Sequence, residues 1–241
     1  MPRADGRAND ALRPVRIETG YLKYAEGSCL IELGDSRLVC AATIGDRAPG
    51  WMKGSGSGWV TSEYGMLPRS GKERNQRVFA AERTPGRVFE IQRLIGRSLR
   101  AICEMRSLGE RTIVIDCDAI QADGGTRTAA ITGGYVALVL ALRQLQQQGV
   151  FRTIPLLDSV AAVSVGIVQG EELLDLDYSE DSMASVDMNV VMTGRGRIVE
   201  VQGTAEGNPF SREEMNRLLD LAQKGIAQLL EVQKQALEQS A

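Results

Sequence analysis

Alternating apolar and polar positions predict β-strands in the first third of the chain. We expect strands at Val15–Thr19, 29–33 and 37–43, with residues 34–35 as a tight turn between the last two. Such turns join antiparallel neighbours, so the fold should begin with an antiparallel sheet. Residues 49–58 and 69–85 lack this period and are expected to be loops; the second is long enough to indicate a role in function or assembly.

The segment after the second loop has the spacing of a helix. Apolar residues three and four apart predict an amphipathic helix over residues 88–106, with Arg87 at its entrance. Its polar face carries Arg93, Arg97 and Arg100 at positions that stack as one ridge. A basic ridge fits either a solvated helix face or a surface that binds anions.

The rest of the chain mixes helices and strands. A helix over residues 128–148 is mostly small or apolar and should be central, while a last helix opens at Ser211 with a capping-box pattern and is expected to fray from about residue 233. Further strands are predicted at 112–118, 160–168, 171–177, 186–193 and 198–202. Since no repeat or linker divides the chain, we interpret residues 1–241 as a single α+β domain.

Composition sets the broad class. The chain has 241 residues, 43% hydrophobic and 24% charged, which is typical of globular proteins. Its apolar stretches are shorter than the roughly 20 residues that cross a bilayer, and its N-terminus lacks the apolar segment of a secretory signal, so we expect no membrane span and a cytoplasmic location. Cys29, Cys40, Cys103 and Cys117 form no C-x-x-C pair and are predicted to be buried apolar side chains.

The chain contains no histidine. This excludes Ser-His-Asp and Cys-His nucleophiles as well as paired-histidine acid–base chemistry. Any reaction must therefore depend on carboxylates, a metal ion or a substrate that supplies its own nucleophile.

Charge is segregated along the chain, although the net charge is only −3. Residues 69–106 contain ten basic and four acidic side chains, a local charge of +6, whereas residues 153–194 contain eight acidic side chains and no lysine or arginine. The first segment suits phosphate groups and the second suits a divalent cation.

A pair of glycines stands where a strand is predicted to lead into the central helix, in the segment Asp123-Gly-Gly-Thr-Arg127. Glycines allow close approach of an anion to the backbone, and the first N–H groups of a helix lack partners within it. Thr126 adds a hydroxyl and Arg127 a charged fork. An ordinary helix start with a glycine turn explains the spacing equally well.

Two aspartates form the second group. Strand alternation over residues 186–193 places Asp187 and Asn189 opposite the apolar positions, and Asp181 lies in the preceding turn. Because acidic residues are disfavoured in strands, Asp187 needs a reason: a hydrogen-bonded structural role, a metal ligand or a proton donor. One or two carboxylates with water and substrate phosphate would suffice for Mg²⁺.

Several long motifs resemble the ribonuclease PH family. They are Trp59-Val-Thr-Ser-Glu-Tyr-Gly-Met-Leu-Pro-Arg69, Glu90-Ile-Gln-Arg-Leu-Ile-Gly-Arg-Ser-Leu-Arg100, Gln121-Ala-Asp-Gly-Gly-Thr-Arg-Thr128, Leu176-Asp-Tyr-Ser-Glu-Asp-Ser182 and Asp187-Met-Asn-Val-Val-Met-Thr193. The similarity runs from about Asp5 to Ser211. It implies a ribosomal-protein-like βαβ fold, assembled as a hexameric ring built as a trimer of dimers.

The resemblance also implies roles for residues. Phosphate would be bound by Arg87, Gly125, Thr126 and Arg127, while Asp181 and Asp187 would be the catalytic or metal-binding pair. RNA binding or subunit assembly would involve the remaining basic positions, Arg69, Arg74, Arg77, Arg93 and Arg97.

The implied activity is a reversible, phosphate-dependent 3′-to-5′ exoribonuclease, or tRNA nucleotidyltransferase, that releases nucleoside diphosphates from tRNA precursors and other structured RNA. Inorganic phosphate would be the co-substrate and Mg²⁺ the metal. Because phosphate is already an anionic nucleophile, such a reaction needs no histidine to generate one. The alternatives are a noncatalytic RNA-binding subunit of an exosome-like ring and a metal-dependent hydrolytic nuclease.

Overall fold

The structure is a computed structural model that describes residues 3–76 and 86–240. One five-stranded sheet has the order β1-β2-β3-β5-β4. Its strands are β1 (Val15–Thr19), β2 (Gly27–Leu33), β3 (Ser36–Gly45), β4 (Trp59–Met66) and β5 (Thr112–Gln121). The predicted antiparallel start is confirmed for β1 to β3, whereas the edge strand β4 runs parallel to β5.

A second, antiparallel sheet has four strands in the order β7-β6-β8-β9. Its strands are β6 (Val160–Val168), β7 (Glu171–Leu174), β8 (Val186–Thr193) and β9 (Ile198–Ala205). In its register Ser164 stands opposite Asn189 and Gly166 opposite Asp187, so polar positions of β6 and β8 come together on one face.

The helices are α1 (Gly86–Arg100), α2 (Met105–Leu108), α3 (Thr126–Gln147), α4 (Tyr178–Met183) and α5 (Arg212–Gln239), and a short 3-10 helix spans Gly50–Met52. Helix α3 contacts both sheets, as its small and apolar sequence predicted. A Cβ on Gly133 would lie 2.8 Å from the sulfur of Cys40, so a larger residue would separate α3 from the first sheet. By length and composition α3 could cross a bilayer, but 78% of its apolar window is buried inside the protein, which is ordinary for a core helix.

Two main apolar clusters form the interior. The first lies around α1, α3 and the five-stranded sheet, and the second lies between α5 and the four-stranded sheet. All four cysteines are free, buried thiols, so the prediction for them is confirmed. The α+β class is also confirmed, while the single-domain interpretation stays a prediction.

Local structure differs from the prediction in several places. Strand β4 was not predicted. Helix α1 ends at Arg100, six residues early: Cys103 forms a β-bridge with Leu156, and the side chain of Glu104 then caps the separate helix α2. The turn expected before β8 contains α4, which begins with a capping box formed by Asp177 and Glu180.

The C-terminal end was also expected to fray, but α5 continues to Gln239. The amide of Gln233 donates hydrogen bonds to the carbonyl oxygens of Thr132 and Val160, at 2.9 and 3.0 Å. Leu237 is buried against the first apolar cluster. Tertiary contacts therefore hold a segment that its polar sequence did not identify.

Candidate active site

A cavity of about 760 Å³ opens where the start of α3 meets the polar face of β6 and β8. Seven of the residues predicted for the site lie on its wall: Arg69, Arg87, Gly125, Thr126, Arg127, Asp181 and Asp187. Residues more than a hundred positions apart are thus brought to one place. Both groups suggested by the sequence, the glycine pair and the aspartates, face the same space.

The glycine pair lies on the part of the cavity wall that suits an anion. Gly124 and Gly125 have φ angles of 75° and 68°, in the left-handed region that glycine occupies without a steric penalty. Gly125 is the N-cap of α3 and provides no side-chain cap, so the first N–H groups of this long helix are left for another partner. The backbone here has the conformation and charge that favour a phosphate group.

Thr126, the first residue of α3, is fixed by a tyrosine that the sequence did not single out. The phenol of Tyr64 on β4 is 4% exposed and lies 2.8 Å from the Thr126 hydroxyl. Burial raises the pKa of Tyr64, so the phenol stays protonated and remains available as a donor. If Tyr64 donates to Thr126, the threonine hydroxyl hydrogen is free to point to a bound anion.

Two arginines stand beside these groups. Arg87 is exposed in the first turn of α1, and Arg127 follows Thr126 on α3. The Arg127 guanidinium contacts the carboxylate of Glu90 at 3.3 Å and the side-chain oxygen of Gln202 at 3.4 Å. These contacts are long for charge-assisted hydrogen bonds, so they orient the guanidinium without strong competition for an anion.

The two aspartates line the same cavity. Asp181 is on α4 and Asp187 on β8, where the predicted alternation is confirmed: Asp187 and Asn189 face the cavity, and Met188 is fully buried in the second cluster. Burial raises the pKa of Asp187 to about 6, with a further increase from the charge of Asp181 and an opposing effect of Arg127. Partial burial also raises the pKa of Asp181. Negative charge on this pair is therefore energetically unfavourable, and a bound cation would offset that cost.

Among the described residues, no group of three or more histidine, cysteine, aspartate or glutamate side chains is arranged to bind a metal ion. The pair Asp181 and Asp187 supplies carboxylate oxygens only. Mg²⁺ favours such oxygens and usually keeps several waters beside one or two carboxylates and substrate phosphates. The donor set thus fits Mg²⁺ in the presence of a phosphate-containing substrate.

Sequence reasoning missed one further feature of the wall. Tyr178 is half exposed and is the one aromatic residue among the described wall residues, and the ammonium of Lys72 lies 4.9 Å from its ring centre. A flat ring beside a cation suits a nucleobase next to its phosphate. The sequence places Tyr178 three residues before Asp181, but the helix that brings the two residues to one side was not predicted.

Other predicted residues lie elsewhere. Arg93 and Arg97 line a separate groove of about 370 Å³ beside Trp59 and Phe89, and Arg97 forms a bidentate ion pair with Glu200 at 2.8 and 2.6 Å. The predicted ridge is therefore partly neutralised.

Two predicted basic residues belong to the long loop. Arg74 is exposed and is not on the cavity wall. Arg77 lies outside the described residues.

Comparisons with known proteins agree with this arrangement. Residues 11–144 match the model for domain 1 of the 3′ exoribonuclease family, and residues 158–225 match the model for domain 2. Two relatives named ribonuclease PH, from Moorella thermoacetica and Syntrophomonas wolfei, are 59% and 56% identical over 98% of this chain and cover 95% and 99% of their own lengths.

Solved structures show the same fold at low sequence identity. Rice Rrp46 is 19% identical with a TM-score of 0.80, over 98% of this chain and 100% of that one. A chain of the Archaeoglobus fulgidus exosome with RNA bound to the active site is 21% identical with a TM-score of 0.78, over 95% and 91%. The family models and the ribonuclease PH relatives both extend across the residues that line the cavity. The chain therefore belongs to the 3′ exoribonuclease family, and within it to the ribonuclease PH group.

Proposed function

We propose that this chain shortens tRNA precursors and other structured RNA from the 3′ end by phosphorolysis. The observation that carries the proposal is that the glycine pair, Thr126, two arginines and two aspartates line one cavity. This arrangement can hold two phosphate groups side by side, one from solution and one from RNA.

The chemistry needs no protein nucleophile. An oxygen of hydrogen phosphate forms a bond to the phosphorus of the last phosphodiester, and the bond from that phosphorus to the 3′ oxygen of the preceding nucleotide breaks. The proton of hydrogen phosphate ends on the departing 3′ oxygen, so the products are a nucleoside diphosphate and a shortened RNA with a free 3′ hydroxyl. Because one P–O bond replaces another of similar energy, the reaction is reversible and also extends RNA.

The protein positions the attacking phosphate and supplies positive charge around it. Arg87, Arg127 and the N–H groups at the start of α3 hold the attacking phosphate, and Thr126 adds a hydroxyl donor. Fixing a nucleophile in line with its target can supply several kcal/mol of catalysis, roughly 7–11 kcal/mol in the best-aligned intramolecular systems. Preorganised donors add the electrostatic part.

Asp181 and Asp187 would hold Mg²⁺. When bound, the ion would neutralise charge that develops on the phosphate oxygens in the transition state. Without a cation, the same two carboxylates would repel the anionic substrate.

RNA contacts extend beyond the reacting groups. We assign the terminal nucleobase to Tyr178 and a backbone phosphate to Lys72, and we assign RNA binding or assembly to Arg69, Arg74, Arg77, Arg93 and Arg97. A ring of six subunits, a trimer of dimers, would gather six copies of the basic segment although each chain is slightly acidic. The four free thiols suit a cytoplasmic location.

A noncatalytic ring subunit is less consistent with the site, since both aspartates and the whole phosphate-binding set are present. Product analysis decides the question. The enzyme is incubated with a tRNA carrying extra 3′ nucleotides, with and without phosphate. Release of nucleoside diphosphates only with phosphate is expected; monophosphates without phosphate would indicate a hydrolase, and no release would indicate a binding subunit.

A further inference from the structure

Arg13, just before β1, is an arginine that takes no part in the chemistry described above and yet is 4% exposed. Its Nε and Nη2 donate to the two carboxylate oxygens of Asp175 at 3.0 and 2.7 Å, and its backbone N–H donates to the same carboxylate at 2.8 Å. The Asp175 side chain is 1% exposed. A buried ion pair adds little net stability compared with apolar residues of similar size, so stability alone does not account for this pair.

The rest of the Arg13 guanidinium reaches the glycine loop. Nη1 donates to the carbonyl oxygen of Asp123, and Nη2 lies 3.5 Å from the carbonyl oxygen of Gly124. The hydroxyl of Ser36 donates to the Gly124 carbonyl at 2.7 Å and accepts from the Asp123 N–H at 2.8 Å. Arg13 and Ser36 thus hold two carbonyl groups of the loop.

This fixes the direction of the N–H groups. In a trans peptide the N–H points opposite to the C=O, so the N–H groups of Gly124 and Gly125 point away from Arg13. Both glycines line the cavity. The contacts of Arg13 and Ser36 therefore present the amides that are needed to bind an anion.

The loop is also packed against the segment that leads to Asp181. A Cβ on Gly124 would lie 2.7 Å from the carbonyl oxygen of Leu176, and one on Gly125 would lie 2.9 Å from Nη2 of Arg13. Asp175 itself has a φ angle of 56°, a rare conformation for a residue other than glycine, and its N–H donates to the carbonyl oxygen of Ser164 at 2.7 Å. The surroundings maintain an unfavourable backbone conformation at the residue that holds Arg13.

We propose that Arg13 and Asp175 form a buried positioning pair that sets the geometry of the Asp123–Gly125 loop and thereby the affinity for phosphate. The pair acts through the loop and contacts no substrate. This inference rests on the proposed function, because it assigns the loop to inorganic phosphate. It predicts that changes to the pair weaken phosphate binding while the binding of RNA is retained.

The test compares Arg13→Lys with Ser36→Ala. Lysine keeps the charge but lacks the fork that joins Asp175 to two carbonyl groups. We expect the KM for phosphate to rise about tenfold or more in Arg13→Lys and several-fold in Ser36→Ala, since small displacements of a positioned group have large effects. The KM for RNA should change less than about threefold, since neither Arg13 nor Ser36 bonds to Tyr178 or Lys72, the side chains assigned to RNA.

Ser36→Ala removes no buried charge, so it keeps the proposal testable if Arg13→Lys does not fold. Ile226→Val, in the second apolar cluster, is the control for a general loss of stability, and its KM for phosphate should equal that of the wild type. A normal KM for phosphate in both Ser36→Ala and any folded Arg13→Lys would overturn the inference, as would equal increases for phosphate and RNA. Failure of the proposed function would be seen separately, as wild-type cleavage that ignores phosphate.

Discussion

The hydroxyl groups of Tyr64 and Thr126 lie 2.8 Å apart, and this contact joins the edge strand β4 to the first residue of α3. Tyr64 belongs to the first apolar cluster, so its ring is held by packing as well as by the hydrogen bond. The anion side of the site is thereby built on a rigid element of the five-stranded sheet, which reduces the cost of ordering Thr126 when phosphate binds.

Replacing Tyr64 by Phe should weaken phosphate binding without unfolding the protein. The ring still fills its place, but Thr126 loses the partner that orients its hydroxyl, a loss of about 0.5–1.5 kcal/mol and therefore about 2- to 13-fold in the KM for phosphate. Steady-state kinetics at saturating RNA measure this. An unchanged KM would mean that Thr126 needs no orientation by Tyr64.

Replacing Arg127 by Ala should reduce kcat/KM by about 2–4 kcal/mol of transition-state stabilisation, roughly 30- to 1000-fold. Arg127→Lys should recover only part of this loss, because lysine cannot form the bidentate contact with phosphate. Glu90→Gln is the matched control, since it removes the ion-pair partner but leaves the guanidinium. Turnover of Arg127→Ala at the wild-type rate would show that this arginine has no role in the reaction.

Asp187→Asn should separate stability from activity. The pKa of Asp187 is raised from 3.8 to about 6 chiefly by burial, so in metal-free protein at pH 7 its charge opposes folding by roughly 1–3 kcal/mol after allowance for solvent screening. The variant should therefore be more stable at pH 7 and inactive. Chemical denaturation in the presence of a chelator, together with the activity assay, measures both effects.

The same carboxyl predicts a pH dependence. Between pH 6 and about 4 the folded protein binds a proton at Asp187 that the unfolded chain does not, so this group makes the wild type more stable as the pH falls. The stability advantage of Asp187→Asn should shrink over that range and vanish near pH 4. An advantage that is constant with pH would mean that Asp187 is not desolvated.

Replacing Tyr178 by Ala should raise the KM for RNA by about 5- to 150-fold, as expected for loss of a stacking contact worth about 1–3 kcal/mol, with little change in the KM for phosphate. Tyr178→Phe is the control, because it keeps the ring and loses only the hydroxyl, and it should bind RNA as the wild type does. Equal effects of Ala and Phe would contradict stacking.

Local patterns in the sequence predicted much of the site. Alternation along β8 correctly placed Asp187 and Asn189 away from the apolar side, since side chains of a strand point alternately to its two faces. The glycine pair likewise marked a special backbone conformation, and both residues have a positive φ angle.

Long-range contacts explain what the sequence left unpredicted. Strand β4 contains both polar and apolar residues in a segment flanked by loops, and it is stabilised by parallel pairing with β5, some 50 residues further along the chain. Pairing between distant segments has no local signature. Gln233 in α5 is another example, since its two carbonyl partners lie on α3 and at the start of β6.

Arg13 shows the same limit of local patterns at the site. A lone arginine before a strand resembles many exposed basic residues, and only the folded structure places Asp175 and the glycine loop around it. The count of charges identified the basic segment from 69 to 106 but could not distinguish Arg87, on the cavity wall, from Arg97, which is paired with Glu200.

In the proposed reaction inorganic phosphate is the attacking group, held by the loop and the two arginines. Reaction of a tRNA carrying extra 3′ nucleotides with phosphate labelled with ¹⁸O, followed by mass spectrometry of the products, tests it directly. We predict that the label appears in the β-phosphoryl group of the released nucleoside diphosphates. Unlabelled nucleoside monophosphates, formed equally well without phosphate, would contradict the account.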